Sequence, residues 1–290
     1  MDTIAQKTEN QGWDLEIKPK SGLLELNLKE VWAYRDLMWL FVRRDFVAQY
    51  KQTVLGPVWH FIQPILTTIM FLFVFGRIAK IPTDGIQPEF LFYLSGITIW
   101  NYFSTCLTST STTFTSNAAI FGKVYFPRLV IPLSVVISNL VKFGIQFLFL
   151  GVAIIYCFFT GYKIDLNIYL LLIPFLLIIM AGIGLGLGII ISSITTKYRD
   201  FTVLLGFAVQ LYMYATPIAY PLSYLKQKGY AWAVEINPLT PIVEAFRFAL
   251  FGKGTFSTES LLYSTGFMIV VLTIGSIIFT KVEKSFMDTV

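Results

Sequence analysis

The chain alternates between long apolar blocks and short polar connections. A helix rises 1.5 Å per residue, so an apolar block of about 18 residues or more is long enough to cross a bilayer. Blocks of this kind lie at about residues 58–75, 90–111, 131–159, 168–191, 201–220 and 261–280. The pattern therefore predicts an all-α membrane protein with six transmembrane helices.

A further apolar segment, residues 237–252 (NPLTPIVEAFRFALFG), does not fit this pattern. It is too short to cross a bilayer, and it carries Glu244 and Arg247 on one helical face, where their i, i+3 spacing lets them pair. Apolar runs of this length are typical of re-entrant or interfacial elements. Such backbone is tolerated at membrane depth only where protein or a water-filled cavity surrounds it. We predict a re-entrant segment that covers a transport pathway.

The residues before the first apolar block divide into two parts. Residues 1–28 are polar, lack periodicity and contain no cleavable signal, so we expect a loose cytoplasmic tail. In residues 29–51 apolar side chains cluster on one arc of a helix, and basic side chains, including Arg43, Arg44 and Lys51, gather on the other. This pattern favours a helix in the membrane interface over a soluble amphipathic helix, because a span follows directly.

Composition agrees with membrane insertion and indicates an orientation. The 290 residues are 56% hydrophobic and 13% charged, whereas soluble domains are about one-quarter charged. The net charge of +5 does not indicate nucleic-acid binding, because the basic residues flank the apolar blocks. If the N-terminus is cytoplasmic, 14 of the 22 lysines and arginines fall in inner segments and seven in outer ones. The positive-inside rule then favours two cytoplasmic termini.

The sequence contains no pattern of a self-contained enzyme. It has no GxxxxGK[ST] loop for ATP and a single histidine, so we expect no catalytic residue, metal or cofactor in this chain. Any ATP and Mg²⁺ would bind to a partner chain. The run Gly182–Gly188 (GIGLGLG) lies within a span and predicts close helix packing rather than nucleotide binding. Cys106 and Cys157 lie in separate apolar blocks and are expected to be buried thiols.

Polar side chains within two of the predicted spans are candidates for the lining of a conduit. Polar groups inside spans mark transport pathways, and aromatic rings offer stacking faces to sugars. Each set follows i, i+3, i+7 spacing and therefore shares a helical face. The first set is His60, Gln63 and Thr67, and the second is Phe207, Gln210 and Tyr214.

Two further features of the sequence each leave two interpretations open. Lys142, on one face of the third span with Asn139 and Gln146, either faces protein or water or extends toward the cytoplasmic surface. The connection Phe121–Arg128 (FGKVYFPR) is short, basic and aromatic. It either docks on a soluble partner or anchors at the lipid headgroups.

Four sequence blocks together resemble the ABC-2-type permeases of bacterial polysaccharide exporters, which export lipid-linked O-antigen, capsule or teichoic-acid polymers. The blocks are KQTVLGPVWHFIQP (51–64), FGKVYFPRLVIPL (121–133), KYRDF (197–201) and NPLTPIVEAFRFALFG (237–252). The resemblance runs over about residues 29–284. Phe246-Arg247-Phe248 has phenylalanine where the family frequently has tryptophan.

The resemblance implies an assembly in the bacterial inner membrane. Two copies of this chain would pair with two copies of a cytoplasmic ATPase and move a lipid-linked glycan. Residues 29–284 would form the transmembrane domain, comprising the interface helix 29–51 and the spans 58–280, with a cytoplasmic end at 285–290. An ABC-2 exporter of small drugs, haem or lipids would share this fold. A membrane lipid-sugar transferase is disfavoured, because the acidic residues of the outer segments are scattered.

The resemblance also implies roles for particular residues. The coupling segment 120–129 would contact the ATPase through Lys123, Tyr125, Phe126 and Arg128. Residues 238–251 would form a re-entrant helical hairpin on the periplasmic side, and its gate residues would be Pro238, Glu244, Arg247 and Phe251. Arg43, Arg44 and Lys51 would attract the anionic head of the lipid-linked substrate, although the same charges also satisfy the positive-inside rule.

Overall fold

The computed structural model describes residues 28–51, 53–121, 126–164, 167–198 and 200–286, and all regular structure in them is helical. Most of the predicted tail and C-terminus, and the coupling residues Lys123 and Tyr125, lie outside these ranges.

The predicted interface helix consists of two helices. Helix α1 spans Leu28–Ala33 and α2 spans Arg35–Tyr50, with a break at Tyr34. On α2, Phe41 and Val42 are buried, whereas Trp39 is exposed. The helix therefore packs against the bundle on one side and presents apolar side chains outward on another.

Each of the six predicted apolar blocks overlaps one of the longer remaining helices, and the shorter helices lie between the blocks. In chain order they are α3 (Trp59–Phe71), α4 (Glu89–Ser111), α5 (Thr113–Ser116), α6 (Ala118–Phe121), α7 (Val130–Phe159), α8 (Ile173–Thr195), α9 (Phe201–Ala215), α10 (Leu222–Lys228), α11 (Ala231–Glu235), α12 (Thr240–Phe251) and α13 (Thr258–Phe286). A 3₁₀ turn, Gly56–Val58, precedes α3, and a π-helix, Leu72–Ile78, continues it. A second 3₁₀ turn, Ile168–Leu172, leads into α8.

Four helical stretches of the described chain are long and apolar enough to cross a bilayer. They are Gly56–Ile78, Val130–Phe159, Ile168–Thr195 and Thr258–Lys281. Helix α9 is apolar but has 15 residues, and the 23-residue α4 carries hydroxyl side chains along its second half. The structure thus supplies four clear candidate spans where the sequence predicts six.

Helix α8 lies between α4 and α13, and its glycines let both neighbours approach. A Cβ built on Gly186 would lie 2.8 Å from Cγ1 of Val271 and 3.0 Å from the backbone nitrogen of Leu272. A Cβ on Gly188 would lie 2.6 Å from Cβ of Thr110. Because these distances leave no room for a side chain, the predicted close packing of the GIGLGLG run is confirmed.

Helix α12, which lies within the segment 237–252 predicted to be re-entrant, is buried inside the protein. It packs against α4, α8, α13 and the 3₁₀ turn at Ile168–Leu172. Ten of its 12 residues are buried. Pro241 occupies the first turn, where its missing N–H costs nothing, and Gly252 ends the helix with φ 65°. Protein therefore surrounds this short helix, as a re-entrant segment would require.

Candidate functional site

An ion pair on α12 forms the centre of the candidate site. The side chains of Glu244 and Arg247 are 2% and 1% exposed, and Nη1 of Arg247 lies 3.5 Å from Oε1 of Glu244. The predicted i, i+3 pairing is therefore confirmed. Charges buried to this degree require partners, because an isolated charge in a low-dielectric interior is strongly unfavourable.

Arg247 also binds the chain that follows α9. Its Nη1 donates to the carbonyl of Pro217 (2.6 Å), and its Nη2 donates to the carbonyl of Ile218 (2.8 Å). Helix α9 ends at Ala215, and Thr216 is extended with ψ 142°. Carbonyls beyond a helix end lack intrahelical partners. The guanidinium therefore satisfies backbone groups at the point where the fifth apolar block leaves its helix.

Helix α4 contacts the Arg247 guanidinium through Phe92 and Gly96. The guanidinium carbon of Arg247 lies 3.7 Å from the ring centroid of Phe92, which is a cation–π contact. One turn further along α4, a Cβ built on Gly96 would lie 2.6 Å from Nη2 of Arg247 and 3.3 Å from the carbonyl oxygen of Ile218. Position 96 therefore has to lack a side chain for Arg247 to lie in this position.

Glu244 connects two more segments to α12. Its Oε1 accepts from the backbone nitrogen of Leu222 at 3.4 Å. Its Oε2 accepts from the nitrogen and hydroxyl of Thr255 at 3.4 and 3.3 Å. Burial raises the pKa of the Glu244 carboxyl, and the Arg247 charge and the backbone donors oppose this effect. A cavity of about 270 Å³ lies beside the carboxylate, between α10 and the start of α13.

Asn237, at the start of the hairpin, joins it to α9. The hydroxyl of Tyr212 donates to Oδ1 of Asn237 at 2.6 Å, and the Leu239 nitrogen donates to the same oxygen at 2.9 Å. Nδ2 of Asn237 donates to the carbonyl of Ala215 and to Oγ1 of Thr216. We did not predict this network from the sequence. The Asn-Pro dipeptide indicates a turn, but it does not reveal the partners of the amide.

The four predicted gate residues lie together in the buried part of the hairpin. The Pro238 carbonyl accepts a hydrogen bond of 2.7 Å from the hydroxyl of Ser264 on α13, and Phe251 is buried. With Glu244 and Arg247 they belong to one packed unit, which includes the ends of α9 and α4. Helix α12 is thus part of the main core and not an exposed flap.

The six residues predicted to line a conduit lie mostly on the surface of the single chain. Phe207 is 64% exposed, and Gln63, Gln210 and Tyr214 are also exposed. Their helices meet where the rings of Phe71 and Tyr214 stack with centroids 6.5 Å apart. The surface that carries both sets is therefore available to lipid, to a second copy of the chain or to a conduit between copies.

The remaining members of the two sets are half-buried. The imidazole of His60 contacts the hydroxyl of Tyr50 on α2. The hydroxyl of Thr67 donates to the carbonyl of Gln63 at 2.9 Å. Both side chains therefore have partners within the chain.

Two predicted ATPase contacts, Phe126 and Arg128, lie inside the protein, at 5% and 8% exposed. The Phe126 ring stacks on Phe121 with centroids 5.8 Å apart, and the Arg128 guanidinium carbon lies 5.6 Å from the same ring's centroid. In the described part of the segment, these side chains support the fold from within.

The basic residues near the interface helix differ in their contacts. Arg43 and Lys51 are exposed. Nη2 of Arg44 lies 2.8 Å from Asp45 Oδ1 and 3.3 Å from Asn117 Oδ1. Arg43 and Lys51 are thus available to anionic headgroups, whereas Arg44 also ties α2 to the connection between α5 and α6.

The face of the third span that carries Lys142 is directed toward protein. Asn139 is buried, Lys142 is half-buried, and Oε1 of Gln146 accepts from Nδ2 of Asn101 on α4 at 3.4 Å. Of the two interpretations left open by the sequence, the structure favours the one in which this face packs within the bundle.

Comparison with known proteins gives a consistent family match. The profile of the family described as ABC-2 type transporter matches residues 36–251. Two Klebsiella pneumoniae proteins, each called O-antigen export system permease protein RfbA, are 30% identical to this chain over 256 residues, which is 87% of this chain and 94% of each relative. A protein of the same name from Myxococcus xanthus is 25% identical over 268 residues, or 91% of this chain and 98% of the relative.

Proposed function

Because this chain belongs to the ABC-2 type transporter family, we propose that it is the membrane subunit of an ATP-driven exporter of lipid-linked, O-antigen-like polysaccharide. Its family and its four long apolar helices make it a multi-pass membrane protein. The observation that carries the proposal is the extent of the similarity: relatives named as O-antigen export permeases align along almost their whole length. By this proposal the protein lies in the bacterial inner membrane.

We propose six crossings with both termini in the cytoplasm. Helices α4 and α9 would add two crossings to the four long apolar ones. The segment from α10 to α12 would then lie on the periplasmic side, with α12 re-entrant. Two features of α12 support this topology. Its 12 residues are too few to cross a bilayer, and it is buried against α4, α8 and α13. The transmembrane domain would run from residue 29 to residue 284.

We propose that two copies of this chain enclose the conduit and that a cytoplasmic ATPase dimer supplies ATP and Mg²⁺. The exposed Gln63 on α3 and the exposed Gln210 and Tyr214 on α9 support a pathway between protomers, because polar side chains facing lipid are unfavourable. His60 and Thr67, which are half-buried, and Phe207 would complete the lining. The coupling segment 120–129, with Lys123, Tyr125, Phe126 and Arg128, would transmit the ATPase cycle.

The two ends of the pathway would have different chemistry. On the cytoplasmic side Arg43, Arg44 and Lys51 would attract the anionic head of the glycolipid. On the periplasmic side the hairpin with Pro238, Glu244, Arg247 and Phe251 would form the gate. The buried ion pair and its backbone partners would hold the gate in the conformation described above.

A transport assay tests the proposed substrate class. The chain is co-expressed with its candidate ATPase in a strain that lacks its own O-antigen permease but still makes the lipid-linked polymer. We expect polymer at the cell surface with both chains and none when either is omitted. Stimulation of the purified complex's ATPase by small drugs, haem or lipids, but not by lipid-linked glycan, would contradict the proposal.

Cysteine crosslinking tests the position of the conduit. Cysteines at Gln63 and Tyr214, in a chain whose native Cys106 and Cys157 are replaced, should crosslink two protomers if these faces meet across a dimer. A matched cysteine at Leu148, which is exposed on α7, should not. Reaction of the first two positions with lipid-soluble reagents alone would place them against lipid and remove the lining assignment.

A further inference from the structure

Among the described residues, five phenylalanine rings form a continuous line through the smaller core. The centroid distances are 5.8 Å for Phe41–Phe126, 5.8 Å for Phe126–Phe121, 6.0 Å for Phe121–Phe114 and 5.0 Å for Phe114–Phe279. All five rings are buried. We refer to this set as the aromatic line.

The aromatic line connects parts of the chain that are far apart in sequence. Phe41 lies on α2, Phe114 on α5, Phe121 at the end of α6 and Phe279 near the end of α13. Phe126 precedes α7. Phe121 and Phe126 are thus on either side of residues 122–125, and their stacked rings bring the two flanks together.

Ring pairs at these distances resist separation. Aromatic rings with centroids 4.5–7 Å apart attract one another beyond the effect of burial. Protein interiors are packed as densely as organic crystals, so they transmit a displacement rather than absorb it. The hydrogen bond of Arg44 to Asn117 ties α2 to the same region. These contacts indicate that α2, the flanks of residues 122–125 and the end of α13 move together.

We propose that the aromatic line positions the interface helix and the last span relative to the coupling segment, so that a displacement imposed by the ATPase reaches α13. This inference rests on the proposed function, since it assumes a partner that drives the movement. It assigns Phe41, Phe114 and Phe279, which the sequence did not single out, as positioning residues. It also explains why Phe126 is buried: its ring acts through Phe121 and Phe41 and not through the ATPase surface.

The contact between Phe114 and Phe279 joins the aromatic line to α13, and a substitution at Phe279 would break it. The Phe114–Phe279 pair is stacked at an interplanar angle of 26° and has the shortest centroid distance of the four. Phe279→Ala removes the ring on α13, Phe279→Leu fills most of the space without a ring, and Phe279→Tyr keeps the ring.

The experiment uses the complete complex with its ATPase in lipid nanodiscs and proteoliposomes. Phe279→Ala should still bind the ATPase and hydrolyse ATP. The ATP consumed per polymer exported should rise by about two- to tenfold, the factor that corresponds to loss of one aromatic pair. Phe279→Tyr should stay close to the native ratio, and Phe279→Leu should fall between. Phe279→Ala with an unchanged ratio would overturn the proposal.

Leu150→Ala is the control for the cavity. Leu150, on α7, is fully buried and belongs to the main core. It should lower thermal stability as Phe279→Ala does and leave the ATP per polymer unchanged. An equal rise in that ratio for both variants would show that Phe279 is important only for stability, and it would overturn the proposal.

A cargo-independent readout separates this inference from the proposed function. Spin labels at Val47 on α2 and Ile277 on α13, both exposed, report the distance between the two helices. In the native background this distance should be the same without nucleotide and with ATP, whereas in Phe279→Ala it should differ between the two states. If this distance already changes on addition of ATP in the native background, the proposal that the aromatic line holds α2 and α13 together is wrong. Absence of polysaccharide transport by the native complex would contradict the proposed function alone.

Discussion

The position of Arg247 depends on the lack of a side chain at residue 96. We predict that Gly96→Ala destabilises the protein by about 1–3 kcal/mol, the usual cost of overpacking a close-packed interior. The reason is that the new Cβ would meet Nη2 of Arg247 and the carbonyl oxygen of Ile218. The measurement is the thermal unfolding midpoint in detergent.

Gly144→Ala on α7 is the control for Gly96→Ala, because nothing lies within 4 Å of the new Cβ. This variant should be neutral or gain up to about 1 kcal/mol from helix propensity. Equal midpoints for the two variants would contradict the packing argument.

Because Glu244 and Arg247 form a buried ion pair, we predict that the cost of replacing one depends strongly on whether the other is present. Arg247→Met should cost about 3–5 kcal/mol, because it leaves a carboxylate buried without its cation. In the double variant with Glu244→Gln, much of that loss should be recovered. The measurement is a double-mutant cycle of unfolding midpoints. Additive losses would show that the pair is not coupled.

The Glu244 carboxyl determines how the stability of these variants depends on pH. Burial raises the pKa of Glu244, and removal of the Arg247 charge takes away the main opposing effect. A raised folded pKa means that stability is greatest at low pH and is lost as pH rises through that value. Arg247→Met should therefore be less destabilised at pH 5 than at pH 8. The double variant, measured in the same buffers, should show no such trend.

At the scale of helices, the glycines of α8 allow close packing against both α4 and α13. We predict that Gly186→Ala weakens the α8–α13 contact and lowers the unfolding midpoint, because the new Cβ would meet the backbone of α13 at 3.0 Å. A backbone neighbour cannot move aside as a flexible side chain can. Gly206→Ala on α9, where nothing lies within 4 Å, is the control. An equal midpoint for both variants would contradict close packing as the reason for the glycines.

The helices themselves were largely predictable from apolar periodicity. Predicted and observed bounds of α4 and α7 agree to within one residue, because long apolar runs and their polar ends specify membrane helices. Helix α8 spans Ile173–Thr195, whereas the predicted block is 168–191. The apolar pattern predicts that helix α9 continues to residue 220, because most of residues 216–220 (TPIAY) are apolar. It ends at Ala215 because Pro217 disfavours helical backbone at Thr216, and Arg247 and Asn237 also bind the backbone there from elsewhere in the chain.

In the candidate site, too, some contacts follow from local sequence patterns and others depend on residues far apart in the chain. The i, i+3 spacing of Glu244 and Arg247 predicted their pairing, because neighbours on a helix are fixed by local geometry. The carbonyls of Pro217 and Ile218, and the space at Gly96, depend on tertiary packing that one sequence does not encode in any local pattern. The burial of Phe126 has the same origin: an aromatic residue in a basic loop is typical of a surface contact until the core beneath it is known.

For the whole molecule, the topology depends on whether α12 crosses the membrane. If it is re-entrant, α10 and α11 lie outside and the end of α13 lies inside. We predict that a cysteine at exposed Tyr230, in a background without Cys106 and Cys157, reacts with a membrane-impermeant maleimide added to intact cells. A cysteine at exposed Thr115 should react only after the inner membrane is opened. Lys281, at the end of α13, should behave like Thr115.

A crossing α12 would reverse part of this result. With Tyr230 still labelled from outside, Lys281→Cys would then also react in intact cells, since the two ends of the chain would lie on opposite sides. The ion pair argues against that arrangement. Arg247 binds the carbonyls that follow α9, and Glu244 binds Leu222 and Thr255. These bonds join the middle of α12 to the chain that follows α9, to the start of α10 and to the chain that follows α12 itself. A helix of 12 residues is also too short to cross about 30 Å of hydrocarbon.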